Sequence, residues 1–181
     1  MEECDICTDW RIMGKKSIKQ NKNIYQTSRE AQDLTRERAA ELLEFISDDR
    51  IEKIESEKSY PHPDEIMQMA KIYKAPGLCN YYCTHECPIG QVHVPQLQLK
   101  DLSQITLEIL NSLNSIEKDK NKFINIAVDG EITEDEYSDF MSIKDKLDQI
   151  SIAVRSLTLW VAQTIANGDI DGKALREAGN K

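Results

Sequence analysis

The sequence predicts an all-α protein with two helical regions, and two observations support this fold class. Apolar residues recur at helical spacing from Thr35 onward, and after residue 99 this spacing extends over two long stretches. The 181 residues include 7 Gly and 5 Pro, and runs that alternate apolar and polar residues are few, so strands have little support. No apolar run reaches the ~18 residues that a membrane-spanning helix needs, so we expect no membrane segment.

Composition divides the chain into five segments. Residues 1–20 are an N-terminal extension with a Cys-x-x-Cys motif, and residues 21–90 are predicted to be a domain of short helices ending in a cysteine-rich helix. Residues 91–98 contain a proline and few helix signals, which indicates a linker. Residues 99–168 are predicted to form a helical hairpin and residues 169–181 a flexible tail.

Two short helices are predicted within Leu34 to Pro61, LTRERAAELLEFISDDRIEKIESEKSYP. Thr35 can cap the first helix and Ser47 the second, because a hydroxyl oxygen accepts a hydrogen bond from an unpaired N–H of the first turn. Apolar residues at helical spacing are expected to point inward on the pair: Ala39, Ala40, Leu43, Ile46, Ile51 and Ile54.

The second of these helices has a polar outer face. Asp48 and Asp49 fall in its first turn, where carboxylates interact favourably with the helix dipole. Arg50, Glu52 and Lys53 are left on the side away from the apolar residues.

This stretch resembles the lambda-repressor-like family of DNA-binding domains, also called XRE or Cro/C1-type. The resemblance extends from Tyr25 to Tyr73. Its other motifs are Arg29-Glu30, Ile46-Ser47, Ile51-x-x-Ile54-Glu55, Pro63, Ile66 and Met69-Ala70. The family implies four or five short helices, with the second helix of the pair in the major groove.

The resemblance also implies which residues contact DNA. On the second helix they are Ser47, Asp48, Asp49, Arg50 and Lys53, and at the start of the preceding helix Thr35 and Arg36 would lie near phosphates. We add Lys58 as a further candidate contact. Arg50 is the expected guanine contact, and Arg36, Lys53 and Lys58 are the expected phosphate contacts. The turn at Glu44-Phe45 lacks the family's usual glycine. Residues 21–80 hold nine Lys or Arg against twelve Asp or Glu, which is acidic for a domain that binds phosphates.

Five cysteines form a second distinctive feature. Cys79, Cys83 and Cys87 are four residues apart, so on one helix ended by Pro88 and Gly90 they would share a face. Together with Cys4 and Cys7, Cys83 and Cys87 could supply a four-sulfur zinc site, in which Cys79 or His85 could substitute. Plain reduced thiols or a disulfide switch fit the same residues. The tract from Tyr73 to Gly90 resembles an extension of some Firmicutes regulators of this family.

The C-terminal region has coiled-coil spacing on two helices. The predicted apolar stripes are Leu102, Ile105, Ile109, Leu113, Ile116, Phe123 and Ala127 on the first helix, and Phe140, Ile143, Leu147, Ile150, Val154, Leu157 and Val161 on the second. Gly130 and a capping box at Thr133-x-x-Glu136 indicate the turn between them. A second copy or the N-terminal domain must cover these stripes, and we favour a homodimer because paired recognition helices suit a palindromic site.

No catalytic pattern accompanies these features. The sequence has no glycine-rich phosphate loop and no nucleophile elbow, and His62, His85 and His93 do not form a zinc-hydrolase pattern. We therefore expect a cytoplasmic, dimeric, non-enzymatic transcriptional regulator of the XRE type that binds double-stranded DNA and needs no cofactor beyond a possible structural zinc. The alternatives are an acidic protein-docking adaptor, antirepressor-like or antitoxin-like, and a regulator that senses thiol state or metal.

Overall fold

The computed structural model describes residues 22–128 and 130–179, and no strand lies among them. Their helices are α1 (Ile24–Glu30), α2 (Arg36–Leu43), α3 (Asp48–Glu55), α4 (Pro63–Ile72), α5 (Gly77–His85), α6 (Pro88–His93), α7 (Leu102–Ala127), α8 (Tyr137–Asn167) and α9 (Gly172–Gly179). The predicted all-α fold class is confirmed. Within these residues no helix combines the length and the apolar character needed to cross a membrane.

The chain divides into two compact units between Leu78 and Cys79. We call the described residues up to Leu78 the N-terminal unit and those from Cys79 onward the C-terminal unit. The linker expected at residues 91–98 overlaps the segment 94–101, which has no helix. Asn80 on α5 holds part of this segment, since its side chain donates to the Pro95 carbonyl and accepts from the Leu97 N–H.

Side-chain caps begin the first three helices of the N-terminal unit. The side chains of Asn23, Thr35 and Ser47 each accept a hydrogen bond from the backbone N–H three residues further along the chain. The predicted caps at Thr35 and Ser47 are therefore confirmed. Helix α2 packs on α3 and α4, and α1 packs on α3. The apolar core of the unit consists of Tyr25, Ala39, Leu43, Ile46, Ile51, Ile54, Ile66, Met69, Ala70, Tyr73 and Leu78.

The cysteine-rich helix ends earlier than predicted. Helix α5 stops at His85, and Cys87 adopts an extended backbone as the N-cap of α6, with its sulfur accepting from the Gly90 N–H. The reason is Pro88, which disfavours a helical conformation in the residue before it and is well suited to the first position of a new helix. The expectation that Cys87 shares a helix face with Cys79 and Cys83 was therefore wrong.

Gly90 sets the spacing between α5 and α6. A Cβ atom built on Gly90 would lie 2.1 Å from the carbonyl oxygen of Cys83, so only glycine fits here. Rather than ending a helix, as predicted, this glycine lies within α6 and allows it to approach the backbone of α5.

Helices α7 and α8 form a long antiparallel pair, as predicted. At the turn, the Glu136 carboxylate accepts from both the N–H and the hydroxyl of Thr133. Thr133 is not the N-cap of α8, however, because the helix begins at Tyr137. Ion pairs between Lys122 and Asp139, and between Lys146 and Asp119, join the two helices.

The buried seam of this hairpin follows the predicted stripes only in part. Ile105 and Ile143 are buried as expected, and six further stripe positions are half-buried: Ile109, Ile116, Phe140, Ile150, Leu157 and Val161. The other stripe positions are exposed: Leu102, Leu113, Phe123, Ala127, Leu147 and Val154. The positions that are buried instead are Ser112, Ile126, Ala153 and Ser156. Small residues in the seam let the helix backbones approach closely, so the larger residues beside them are left outside.

Candidate nucleic-acid interface

A buried carboxylate ties together the first three helices of the N-terminal unit. Glu55, at the end of α3, is 2% exposed. Its Oε1 accepts from Arg29 Nε at 2.6 Å, and its Oε2 accepts from Arg29 Nη2 at 2.9 Å and from Arg36 Nε at 2.8 Å. Burial works against the charged form, but the bond to Glu55 raises the pKa of Arg29. We call these three residues the Glu55 cluster; it fixes α3 relative to α1 and α2.

Arg36, a predicted phosphate contact, is a member of this cluster. Its side chain is 37% exposed, so one side reaches solvent while Nε is held by Glu55. Arg38, two residues further along the first turn of α2, is 61% exposed and pairs with Glu41. Arg38 is not among the predicted DNA contacts, although its place in the same helical turn as Arg36 is a usable signal. The start of α2 therefore presents two guanidinium groups beside the capping residue Thr35.

Arg50 is held by α4 and the loop before it. Its Nε and Nη2 donate to the two carboxylate oxygens of Glu65 at 2.8 and 2.7 Å. Its Nη1 donates to Ser59 Oγ at 2.6 Å, and Nη2 also donates to the Tyr60 carbonyl at 2.9 Å. All three nitrogen atoms are engaged, so contact with a base would require some of these bonds to break.

Glu65 is stabilised as a carboxylate by this arrangement. Burial alone would raise the pKa of Glu65, but hydrogen bonds from Arg50 and from the His62 N–H lower it. The bond to His62 is 2.7 Å long and forms half of a capping box at the start of α4. Arg50 and Glu65 together thus fix α3 against α4.

The outer surface of α3 is acidic. Ser47, Asp48, Asp49 and Lys53 are exposed, as predicted for residues that face a ligand. Glu52 is half-buried and pairs at 3.3 Å with Lys58, whose side chain is 65% exposed in the loop after α3. This surface therefore carries the carboxylates of Asp48, Asp49 and Glu52. Its two lysines are Lys53 and Lys58, and Lys58 is paired with Glu52.

The turn between α2 and α3 exposes apolar side chains. Phe45 is 60% exposed and Leu42, at the end of α2, is 39% exposed. Glu44 adopts a positive φ of 61°, a conformation that glycine adopts more readily. The missing glycine therefore costs backbone strain in this turn, and the acidic Glu44 lies next to the exposed ring of Phe45.

The cysteines of the described residues are free thiols. Cys79, Cys83 and Cys87 are all half-buried, and burial, followed by the neighbouring Cys83, raises the pKa of Cys79. Within residues 22–128 and 130–179, no three His, Cys, Asp or Glu side chains lie close enough to hold a metal ion. Cys4 and Cys7 lie outside the described residues, so the predicted zinc site stays a prediction.

No family model, curated protein or solved structure matches the chain.

Proposed function

We propose that the N-terminal unit is a helix-turn-helix domain that binds double-stranded DNA, and that the protein is a cytoplasmic transcriptional regulator that acts by occupying an operator. The observation that carries this proposal is the geometry of α2 and α3. Both are capped helices of eight residues, a short turn joins them, and the Glu55 cluster and the Arg50–Glu65 pair hold α3 on two sides. A rigidly held second helix with an exposed polar face is what major-groove recognition requires.

The first turns of α2 and α3 carry opposite charges, and this difference suits them to different parts of the DNA. Arg36 and Arg38 at the start of α2 suit phosphate oxygens, which also interact favourably with the positive end of the helix dipole. Asp48 and Asp49 at the start of α3 repel phosphates, but a carboxylate can accept a hydrogen bond from the amino group of cytosine. We therefore place the start of α3 at base edges and the start of α2 at the DNA backbone.

Arg50 is better explained as a positioning residue than as the guanine contact that the resemblance implied. Its bonds to Glu65, Ser59 and Tyr60 keep the guanidinium within the domain. Replacement by Ala should then weaken specific and non-specific DNA binding to a similar extent. A selective loss of sequence preference in Arg50→Ala would instead support the base contact.

The test of DNA binding is selection of bound duplexes from a random pool by the full chain, at low and near-physiological salt. We expect an enriched consensus. For Lys53→Ala and Arg38→Ala we expect weaker binding and a salt slope smaller by about 1. Lys173→Ala is the matched control, because Lys173 is also exposed and lies on α9 of the C-terminal unit. Absence of enrichment at both salt concentrations would refute the proposal.

A second candidate function is protein docking without DNA binding, and the surface of α3 favours it. The exposed Phe45 and Leu42 lie beside Glu41, Glu44 and the acidic start of α3, an apolar centre with a negative rim. Such a surface suits a partner with a basic, partly apolar face. In that case Asp48→Asn with Asp49→Asn should weaken binding to an arginine-rich peptide, whereas Arg38→Ala should not. DNA selection should then yield no consensus.

A further inference from the structure

The hairpin of α7 and α8 carries apolar side chains outside its buried seam. Near its middle, Leu110 is 51% exposed, Leu113 49%, Leu147 42% and Val154 48%. Single exposed apolar residues are ordinary, but several large ones at one level of a hairpin indicate an interaction surface. We call these four residues the hairpin patch.

The helix register places the patch residues at one level. The ion pairs of Lys122 with Asp139 and of Lys146 with Asp119 align the antiparallel helices. When this alignment is extended along the two helices, Leu113 on α7 lies level with Ile150 on α8, about midway between Leu147 and Val154.

Helix geometry also places the patch on one side of the hairpin. Each patch residue directly follows a buried or half-buried seam position: Ile109, Ser112, Lys146 and Ala153. One residue turns an α-helix by about 100°. Because α7 and α8 run in opposite directions, this rotation carries the following residue on each helix toward the same side of the pair. The four side chains therefore form a continuous face.

We propose that this face binds the same face of a second copy of the chain, so that two hairpins form a four-helix dimer. Helix α7 has 26 residues, so at 1.5 Å per residue the whole side of the hairpin that carries the patch is about 39 Å long. Two packed helices span about 20 Å, so this side covers about 800 Å², with the hairpin patch near its middle. A stable dimer buries a similar area on each partner.

The polar residues around the patch favour a second copy over a partner of one charge sign. Glu117 and Lys120 on α7, and Lys144 and Asp148 on α8, form ion pairs within their own helices. Lys120 and Lys144 also follow seam positions and so lie on the patch side. A face bordered by both acidic and basic residues can pair with an identical face, because two-fold symmetry can bring acidic residues of one copy next to basic residues of the other. An acidic or basic partner would instead need a border of the opposite charge.

Self-association does not depend on DNA binding, but it completes the proposed function. A dimer would present two N-terminal units to the two half-sites of a palindromic operator. The two proposals can fail separately, since a dimer without DNA binding or a monomer with DNA binding would each be recognised in the experiments.

The test is sedimentation equilibrium of the full chain, comparing the natural protein with Leu113→Lys/Leu147→Lys and with the milder Val154→Lys. We expect a dimer for the natural protein and association weaker by about 30-fold or more for the double variant. The matched control is Ile152→Lys. Ile152 is 37% exposed on α8 and lies about 200° around the helix from Val154, so it should not affect association.

A charge exchange distinguishes lost contact from lost folding. Leu113→Glu/Leu147→Glu should be monomeric alone, but mixed with the lysine form it should give a heterodimer, because opposite charges then meet across the interface. A monomeric natural protein, equal disruption by Ile152→Lys, or failure of the mixed variants to associate would overturn the proposal.

Discussion

Replacing Glu55 by Ala should destabilise the N-terminal unit more than any other single change in its ion pairs. The substitution removes both carboxylate hydrogen bonds of the Arg29 guanidinium, whose side chain is 6% exposed, and leaves it the Leu34 carbonyl and Glu30 at 3.9 Å. Removing one partner of a buried ion pair costs about 3 to 5 kcal/mol. The Arg36 side chain is 37% exposed, so water can replace its single bond to Glu55. Arg36→Ala should therefore lower the free energy of unfolding by only about 1 kcal/mol.

Hydrogen exchange of the full chain, followed by mass spectrometry over a series of urea concentrations, measures the stability of the N-terminal unit separately from that of α7 and α8. Peptides from α1 to α4 should exchange at lower urea in Glu55→Ala, while peptides from α7 and α8 serve as an internal reference. Lys58→Ala removes an exposed ion pair at the same end of α3, and it should cost no more than about 0.5 kcal/mol. A loss below about 1 kcal/mol for Glu55→Ala would show that the cluster does not hold the helices together.

Three further predictions concern other contacts. Folding lowers the pKa of Glu65 from 4.5, so the ionised Glu65 stabilises the folded protein above pH 4.5, and this stabilisation is lost as the pH falls through the pKa of the folded state. In Glu65→Gln, stability measured by circular dichroism should therefore fall less steeply as the pH is lowered. Tyr73→Phe should leave thermal stability unchanged or raise it, because Tyr73 Oη is buried without a hydrogen-bond partner among the described residues. Gly90→Ala should destabilise α5 and α6 in hydrogen exchange, because the added Cβ meets the Cys83 backbone, whereas Gly77→Ala, with nothing within 4 Å, should not.

Local signals predicted the helices well. Thr35 and Ser47 cap α2 and α3 as expected, and Ile46, Ile51 and Ile54 are buried. Capping and apolar spacing depend on residues within one or two helical turns, so the local sequence is enough to predict where these helices begin and which side of them is buried. The end of α5 has a local cause too, because Pro88 disfavours a helical conformation in Cys87.

Contacts between distant residues could not be predicted in the same way. Glu55 finds Arg29 across 26 residues, and Arg50 finds Glu65 across 15. Many acidic residues could have served as partners, and only packing selects among them. The same holds for the hairpin, where the neighbouring residues Ser112 and Leu113 offer alternative faces and packing buries the smaller one.

The Glu55 cluster also has a consequence for how the protein folds. Its members come from α1, α2 and the last turn of α3, so neither arginine can bond to Glu55 until residue 55 is present. During synthesis, the first two helices should therefore remain unstable until α3 has left the ribosome. The three helices should then order together in one step, because contacts between distant residues compensate the entropy of loop closure only when all of them form.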